Sequence, residues 1–534
     1  MKRNYFVCGL LALFGSLNMQ AAVDFTVNGI NYSQTDSAVV TVVADAEKPY
    51  EGAVNIPASV AYDGIDYAVT AVGDKAFYYC TGVTSVVVPE GVTELGYSAF
   101  RNCSGMTSIS LPSTLKKIGS SAFYGCKSLA GINIPAAVDS IKPYTFFGCH
   151  SLTSVNVPSN VVAVGGSAFF NCIELKSVVL PEGLTEIPSY TFCNCQKLES
   201  INIPAGVKQI GDYAFERCIS LGAVNIPEGL TQLGTAAFYL CGLTSVSLPA
   251  SLRNITGSTF AGCLYLQNIS VADGNAVYSA PAGSNAIIET IVDEKTLNVT
   301  YRLVAGCSNT TIPATVTEIG KYAFYDCLGL TNITIPASVI DVDAYAFSGC
   351  LNLKNVEISE GVKGIEDYVF RNCKSLESVE IPSTVTAISE GAFYGCSAMK
   401  SVVLPATIKE VEDYAFAKCE ALADFVCLAE ECPKVTLDAF EDTAIENVAL
   451  RVPEAAVEAY ELHAVWGLFA SISGMVDGNN VAPNKDAETA IDNLKGDAKI
   501  VSVYNLGGQQ NARMQRGINI VRMSDGTTRK VLMQ

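Results

Sequence analysis

Cysteine is the residue with the most chemistry to offer here: the chain of 534 residues holds 19, and fourteen of them stand three residues after a phenylalanine. Thiols can pair, ligate metals or act as nucleophiles, and each use needs partners at a matched spacing. Zinc calls for paired Cys-x-x-Cys knuckles or histidines; the recurrent cysteines are unpaired in sequence, and only His150 and His463 occur. A disulfide framework would suit an exported chain. However, side chains repeated at one ladder position point in parallel, not toward each other. The reading is therefore of reduced, packed thiols, since cysteine is a compact apolar residue. Cys193, Cys307, Cys427 and Cys432 lie off that frame; the last two are close enough in sequence for a local disulfide, which stays open. Neither histidine stands in a Gly-x-Ser-x-Gly nucleophile motif, and no phosphate-cradling or calcium loop is evident. Glu357 and Glu380 are 23 residues apart and would sit at about 5 Å on adjacent coils, a glycosidase-like separation. No loop builds a pocket around them, so no enzyme, cofactor or metal is expected.

The elements that must position these residues are repeats. Phe77/Cys80, Phe100/Cys103, Phe123/Cys126 and their successors to Phe260/Cys263 are followed, after a gap, by Phe324/Cys327 to Phe416/Cys419. Pro89, Pro112, Pro135, Pro158, Pro181, Pro204 and Pro227 are each 23 residues apart. Within one copy, Leu129, Ile132 and Ile134 read as a short strand with inward branched side chains. Pro135 then ends it where its missing N–H is harmless. Val138 and Ile141 point inward from the return, and Phe146 and Cys149 fill the turn. About eight inward side chains, at ~2 kcal/mol each when buried, do not offset ~1–2 kcal/mol per residue of backbone ordering. A single copy cannot fold alone; stacked copies cover one another. The expected fold is an α/β-type or mainly β repeat solenoid, an arc of about 15 coils.

Composition agrees. Hydrophobic residues make up 49% and charged residues 16%, which excludes wholesale disorder. The net charge of −19 argues against nucleic acid or an anionic membrane as main partner.

The pattern Ile-Pro-x-x-Val-x-x-Ile-x-x-x-Ala-Phe-x-x-Cys-x-x-Leu resembles the BspA-like class of bacterial leucine-rich-repeat proteins over roughly residues 71–420. That resemblance implies a leucine-rich-repeat solenoid on a surface-exposed or secreted protein of a host-associated microbe, with adhesion as the expected role.

The expected organisation has six parts, one of them carrying an insertion. Residues 1–22 read as a secretory signal: Lys2 and Arg3, an apolar run Phe6 to Leu17 too short to span a bilayer, then Ala21 and Ala22. No later stretch suits a transmembrane helix, so the product is exported or held at the outer surface. Residues 23–70 read as a β-rich cap and 71–425 as the solenoid, with an insertion at 264–310 carrying a hairpin from Asn285–Thr290 to Val299–Leu303. Residues 426–475 read as a C-terminal cap with a helix from Pro453 to Leu468, and 476–488 as a linker. Residues 489–534 read as a small β module. Val503-Tyr-Asn-Leu-Gly-Gly508 and Arg516-Gly-Ile-Asn-Ile-Val521 resemble a type nine secretion sorting module.

Two rows could bind a partner. On the outer side of the first strand lie Asn133, Asn156, Asn202 and Asn225, then Glu357 and Glu380 beyond the insertion. A flat Ser/Asn row can hydrogen-bond an extended partner or glycan, or bond to itself. Two residues before the phenylalanines lie Tyr213, Tyr322, Tyr345 and Tyr368, suited to sugar or protein contact, or to covering neighbouring coils. The partner expected is a protein or glycan on host or neighbouring cells. An envelope scaffold without a specific ligand, or a glycan-binding accessory, is the competing reading.

Overall fold

A computed structural model describes residues 22–45 and 48–475, together with strands Ile500–Tyr504, Gln510–Asn511, Gly517–Met523 and Thr528–Met533. The chain divides into two units at 475/476. The segments expected to be a secretory leader (1–22) and a linker (476–488) fall outside the described residues, Ala22 excepted. The second unit contains a four-stranded antiparallel sheet in which Ile500–Tyr504 lies between Gln510–Asn511 and Gly517–Met523.

The first unit is a mainly β solenoid of about eighteen turns with a 23-residue period. One turn shows why. Strand Gly131–Asn133 buries Ile132 and pairs in parallel with Ser154–Asn156, Ile132 opposite Val155. Pro135 ends it, and the short return strand Ser140–Ile141 pairs with Ala163–Val164. The third side is the Phe-x-x-Cys turn, tied to its successor by Phe123 N–H to Thr145 O at 2.9 Å and Gly125 N–H to Phe147 O at 2.7 Å. All three sides are thus bonded main chain to main chain.

Inside, the phenylalanines stack. Ring centroids from Phe100 to Phe260 follow at 5.2–5.7 Å, and from Phe324 to Phe416 at 4.8–5.4 Å. Near-parallel rings at this spacing, close to the 4.7–4.9 Å between strands, are slightly offset, which suits their quadrupoles. Within each block, every cysteine after the first (Cys80 and Cys327) donates its S–H to the carbonyl of the phenylalanine one coil back. Cys126 Sγ lies 3.1 Å from Phe100 O, and the bond recurs at 3.0–3.4 Å up to Cys419. All described cysteines are free thiols. Cys427 and Cys432 are among them, and Cys427 Sγ accepts from the Tyr460 hydroxyl at 3.2 Å. Where the frame decays, Thr443 takes the cysteine's place and its Oγ1 donates to Phe416 O at 2.7 Å.

The ends account for the turns beyond fifteen. Val39–Val43 pairs in parallel with Ile65–Val72, which pairs in parallel with Glu94–Leu95. Asp424–Cys427, Ala449–Pro453 and Ser471–Met475 likewise extend the first-strand ladder. The segments expected as caps thus carry the ladders on as further turns. The helix expected from Pro453 to Leu468 is shorter, Val457–Leu462. His463 is extended, and its Nδ1 accepts the N–H groups of Val465 and Trp466 at 3.2 and 3.3 Å, which stops the helix.

The insertion is built into the second ladder. Label the strands around it β1 (Asn268–Val271), β2 (Ile287–Val292), β3 (Val299–Ala305), β4 (Asn332–Ile335) and β5 (Asn355–Ile358). β2 and β3 form the hairpin, and β3 continues the parallel ladder through Leu303 opposite Ile319. The apolar interior divides here: Ile287 and Ala305 belong to the block before the hairpin, Ile288 and Leu303 to the block after it. On the Phe-x-x-Cys side the chain skips the insertion, because Gly262 N–H donates to Tyr325 O at 3.2 Å. That is the bond Gly125 makes one coil on, so the stack stays in phase.

Candidate functional site

The outward positions of the first strand form the face to examine. Asn133, Asn156, Glu357 and Glu380 are exposed there, each on its own turn; Asn225 is exposed as well, on a coil that forms no strand. Asn202 is exposed but occupied. Its Oδ1 accepts Leu180 N–H and its Nδ2 donates to Leu180 O, both at 2.9 Å. The strand pairing ends at Ile201, and this side chain replaces the missing main-chain bonds. Past the insertion the row also bonds to itself: Asn355 Nδ2 to Asn332 Oδ1 at 2.6 Å, and Thr334 Oγ1 to Glu357 Oε2 at 3.1 Å.

A depression of about 470 Å³ opens on this face beside the insertion. Ile312, Asn332, Thr334, Pro336, Asn355 and Glu357 are among the residues that line it. It exists because one coil is short: Cys307 to Pro313 is six residues, whereas Cys327 to Pro336 is nine. Three residues too few leave Thr310–Thr311–Ile312 without a strand. The lining has no lysine or arginine. Glu357 belongs to it, and so do Asn332, Thr334 and Asn355, which the sequence places in the same outward row; the short coil, visible in the Cys–Pro spacing, was the signal for the rest.

The tyrosines form two stacks, not one row. Tyr190 and Tyr213 are 4.9 Å apart; Tyr322–Tyr345 and Tyr345–Tyr368 are 5.5 and 5.2 Å. Ala236 and Ser258 hold the position in the turns between Tyr213 and Tyr322. Tyr213, Tyr322, Tyr345 and Tyr368 are half-buried, and Tyr190 is exposed. Rings stacked on one another cover their faces and present edges, whereas a sugar needs a face. The arrangement therefore covers neighbouring coils more than it offers a platform.

Their backbone carries a cost that the sequence did not signal. Tyr213, Tyr322, Tyr345 and Tyr368 have φ of 57°, 63°, 61° and 58°, the left-handed region. A second column, two residues after each phenylalanine, has the same conformation and is filled largely as backbone sterics ask, by Asn102, Gly125, Gly148, Asn171 and Asn194. Tyrosine in the first column is thus held for its side chain. Replacing Tyr345 by glycine relieves the backbone and removes the stack, so Tyr345→Gly is expected to unfold close to the wild-type denaturant midpoint. Tyr345→Ala keeps the strain and loses the stack, and should be less stable than Tyr345→Gly by about 1 kcal/mol. Equal stability of the two variants would mean that the backbone strain is not real.

Charge follows the coil geometry. Like carboxylates stack on the return strand: burial and neighbouring Asp367, Asp341 and Asp343 raise the Glu366 carboxyl, and burial and Glu318 raise Asp343. Arg302 answers at one end, 2.6 Å from Glu318. The histidines are structural. His150 Nε2 meets Asn171 Nδ2 at 3.0 Å, and burial lowers its pKa. Among the described residues no cluster of His, Cys, Asp and Glu is suited to a metal. No helix among them is long and apolar enough to cross a membrane.

Two parallel strand ladders, a hydrogen-bonded column of turns and a 23-residue repeat with an inward leucine-rich strand define a leucine-rich-repeat solenoid. Its family is settled by the match of residues 70–454 to the BspA type leucine-rich repeat region: the chain belongs to that family. It is similar to a leucine-rich repeat protein from Bacteroides ovatus, 29% identical over 76% of this chain and 94% of that one, TM-score 0.53. It is also similar to a leucine rich cell surface protein from Faecalibacterium prausnitzii, 26% identical over 76% and 94%, TM-score 0.49. No curated protein matches.

Proposed function

We propose that this is an exported binding protein, held at the outer cell surface or released, that acts as an adhesin toward a protein or glycan on host or neighbouring cells. The observation that carries this reading is the first-strand face: a row of exposed polar side chains on parallel strands, interrupted at the coil of Asn225 and again beside the insertion, where a depression of about 470 Å³ opens. Such a surface suits recognition better than catalysis. Its membership of the BspA type leucine-rich repeat family supports this reading. Residues 489–534 serve, in this reading, as the type nine secretion sorting or anchoring module. The self-bonding of Asn202, Asn332 and Asn355 favours the alternative of an envelope scaffold.

The two separate experimentally. The full exported chain, immobilised and presented with a panel of matrix proteins, glycans and whole cells, is expected to bind one class saturably. Asn133→Arg, Asn156→Arg and Asn225→Arg combined should abolish that binding with melting temperature unchanged. Absence of saturable binding, with weakened envelope integrity in a deletion strain, would favour the scaffold.

A further inference from the structure

We propose that the depression beside the insertion is a docking site for an extended peptide bearing a lysine or arginine, added to the sheet as a strand. This rests on the binding-protein reading and names its partner and place. The first-strand ladder has two unused edges here. β1 pairs only with Ser245–Leu248, and β4 only with β5, among the described residues. At an ordinary coil the residue before the strand donates to the coil behind it, as Gln267 does to Thr244 O at 3.0 Å and Lys354 to Thr331 O at 2.8 Å. Thr331 N–H makes no such bond. The short coil between does not close the gap, because Thr310 N–H and Thr311 N–H turn to Cys307 O and Ser284 O, inside the insertion.

A sheet edge of this kind asks for alternating main-chain donors and acceptors, which a polypeptide brings and a glycan does not. Charge narrows the choice further. Glu357 lines the depression and spends one oxygen on Thr334, leaving the other without a side-chain partner. Glu380 follows one turn on, and no cation lines the site. An acidic peptide would meet repulsion there; a basic side chain would meet Glu357. Ile312 and Pro336 offer an apolar contact to a residue at the alternate position of the incoming strand.

The test uses the full chain and a phage library of random nonapeptides. Peptides enriched in lysine or arginine are expected. On the free protein, amides of β4 facing the gap should exchange fast with solvent and those of β5 slowly; a selected peptide should slow the former. Glu357→Lys should weaken that peptide by about tenfold or more while Glu357→Gln weakens it less. Selected peptides indifferent to Glu357→Lys, or binding without protection at β4, would overturn the site, as would an empty selection. If cell or matrix binding persists while the peptide result is negative, the seam inference alone fails. If both are negative, the adhesin reading fails with it.

Discussion

Raising the pH from 8 toward 11 is expected to unfold the solenoid cooperatively, with the thiols titrating only as the fold is lost. The cause is the cysteine ladder. Burial pushes the thiols of Cys126, Cys149, Cys172 and Cys195 well above their ordinary range, and takes Cys80 to about 11 and Cys419 to about 12. A raised folded pKa leaves stability intact below the unfolded thiol value of about 8.5 and drains it as pH climbs from there toward the folded value. Each group contributes about 1.4 kcal/mol per pH unit in that window, so a dozen give on the order of 15 kcal/mol per unit. That rivals the whole stability of a typical domain, about 5–15 kcal/mol. Circular dichroism against pH reads the unfolding, and a chromogenic disulfide reagent at pH 7.5 should label few of the ladder thiols until denaturant is added. Replacing several ladder cysteines by threonine, as the chain itself does at Thr443, should move the alkaline midpoint upward. A folded protein whose thiols titrate near 8.5 would refute the account.

The second large effect is at the aromatic stack. Phe169 is fully buried, with Phe146 and Phe192 at 5.4 and 5.3 Å on its two sides. Phe169→Ala is expected to cost about 3–5 kcal/mol in denaturant unfolding. Phe260→Ala should cost less, since that ring has a stacking partner on one side only, Phe238 at 5.7 Å. Because turns interact with nearest neighbours, Phe169→Ala and Phe192→Ala should be non-additive, whereas Phe169→Ala and Phe393→Ala should add. Additivity of the first pair would mean the rings pack as independent residues.

The repeat was legible because contacts between residues 23 apart impose the same residue type at the same place, coil after coil. Hence Phe123, Cys126, Leu129, Ile132 and Val138 could be assigned to the interior from spacing alone. Other features leave no periodic trace. The left-handed backbone at Tyr345 is hidden, because tyrosine is not the residue that conformation selects. Asn202 resembles its neighbours Asn133 and Asn156 in sequence, yet bonds Leu180 because its strand stops one residue early. His463 ends a helix through a single local acceptor. At the N-terminus, Ile65–Val72 lacks the Phe-x-x-Cys mark and still forms a turn, because strand pairing needs main chain and not any particular side chain. The depression arose from three absent residues, a signal present as a count but not as a motif.

Mechanical load on such a molecule is shared unequally. A pull along the stack is resisted at most coils by three bonded edges; the strand edge is interrupted around Asn225 and again beside the hairpin, and only beside the hairpin does the apolar filling also change from one block to the next. Tension would concentrate there, so the chain would give way first at that joint, letting two stiff segments hinge or part while each stays intact.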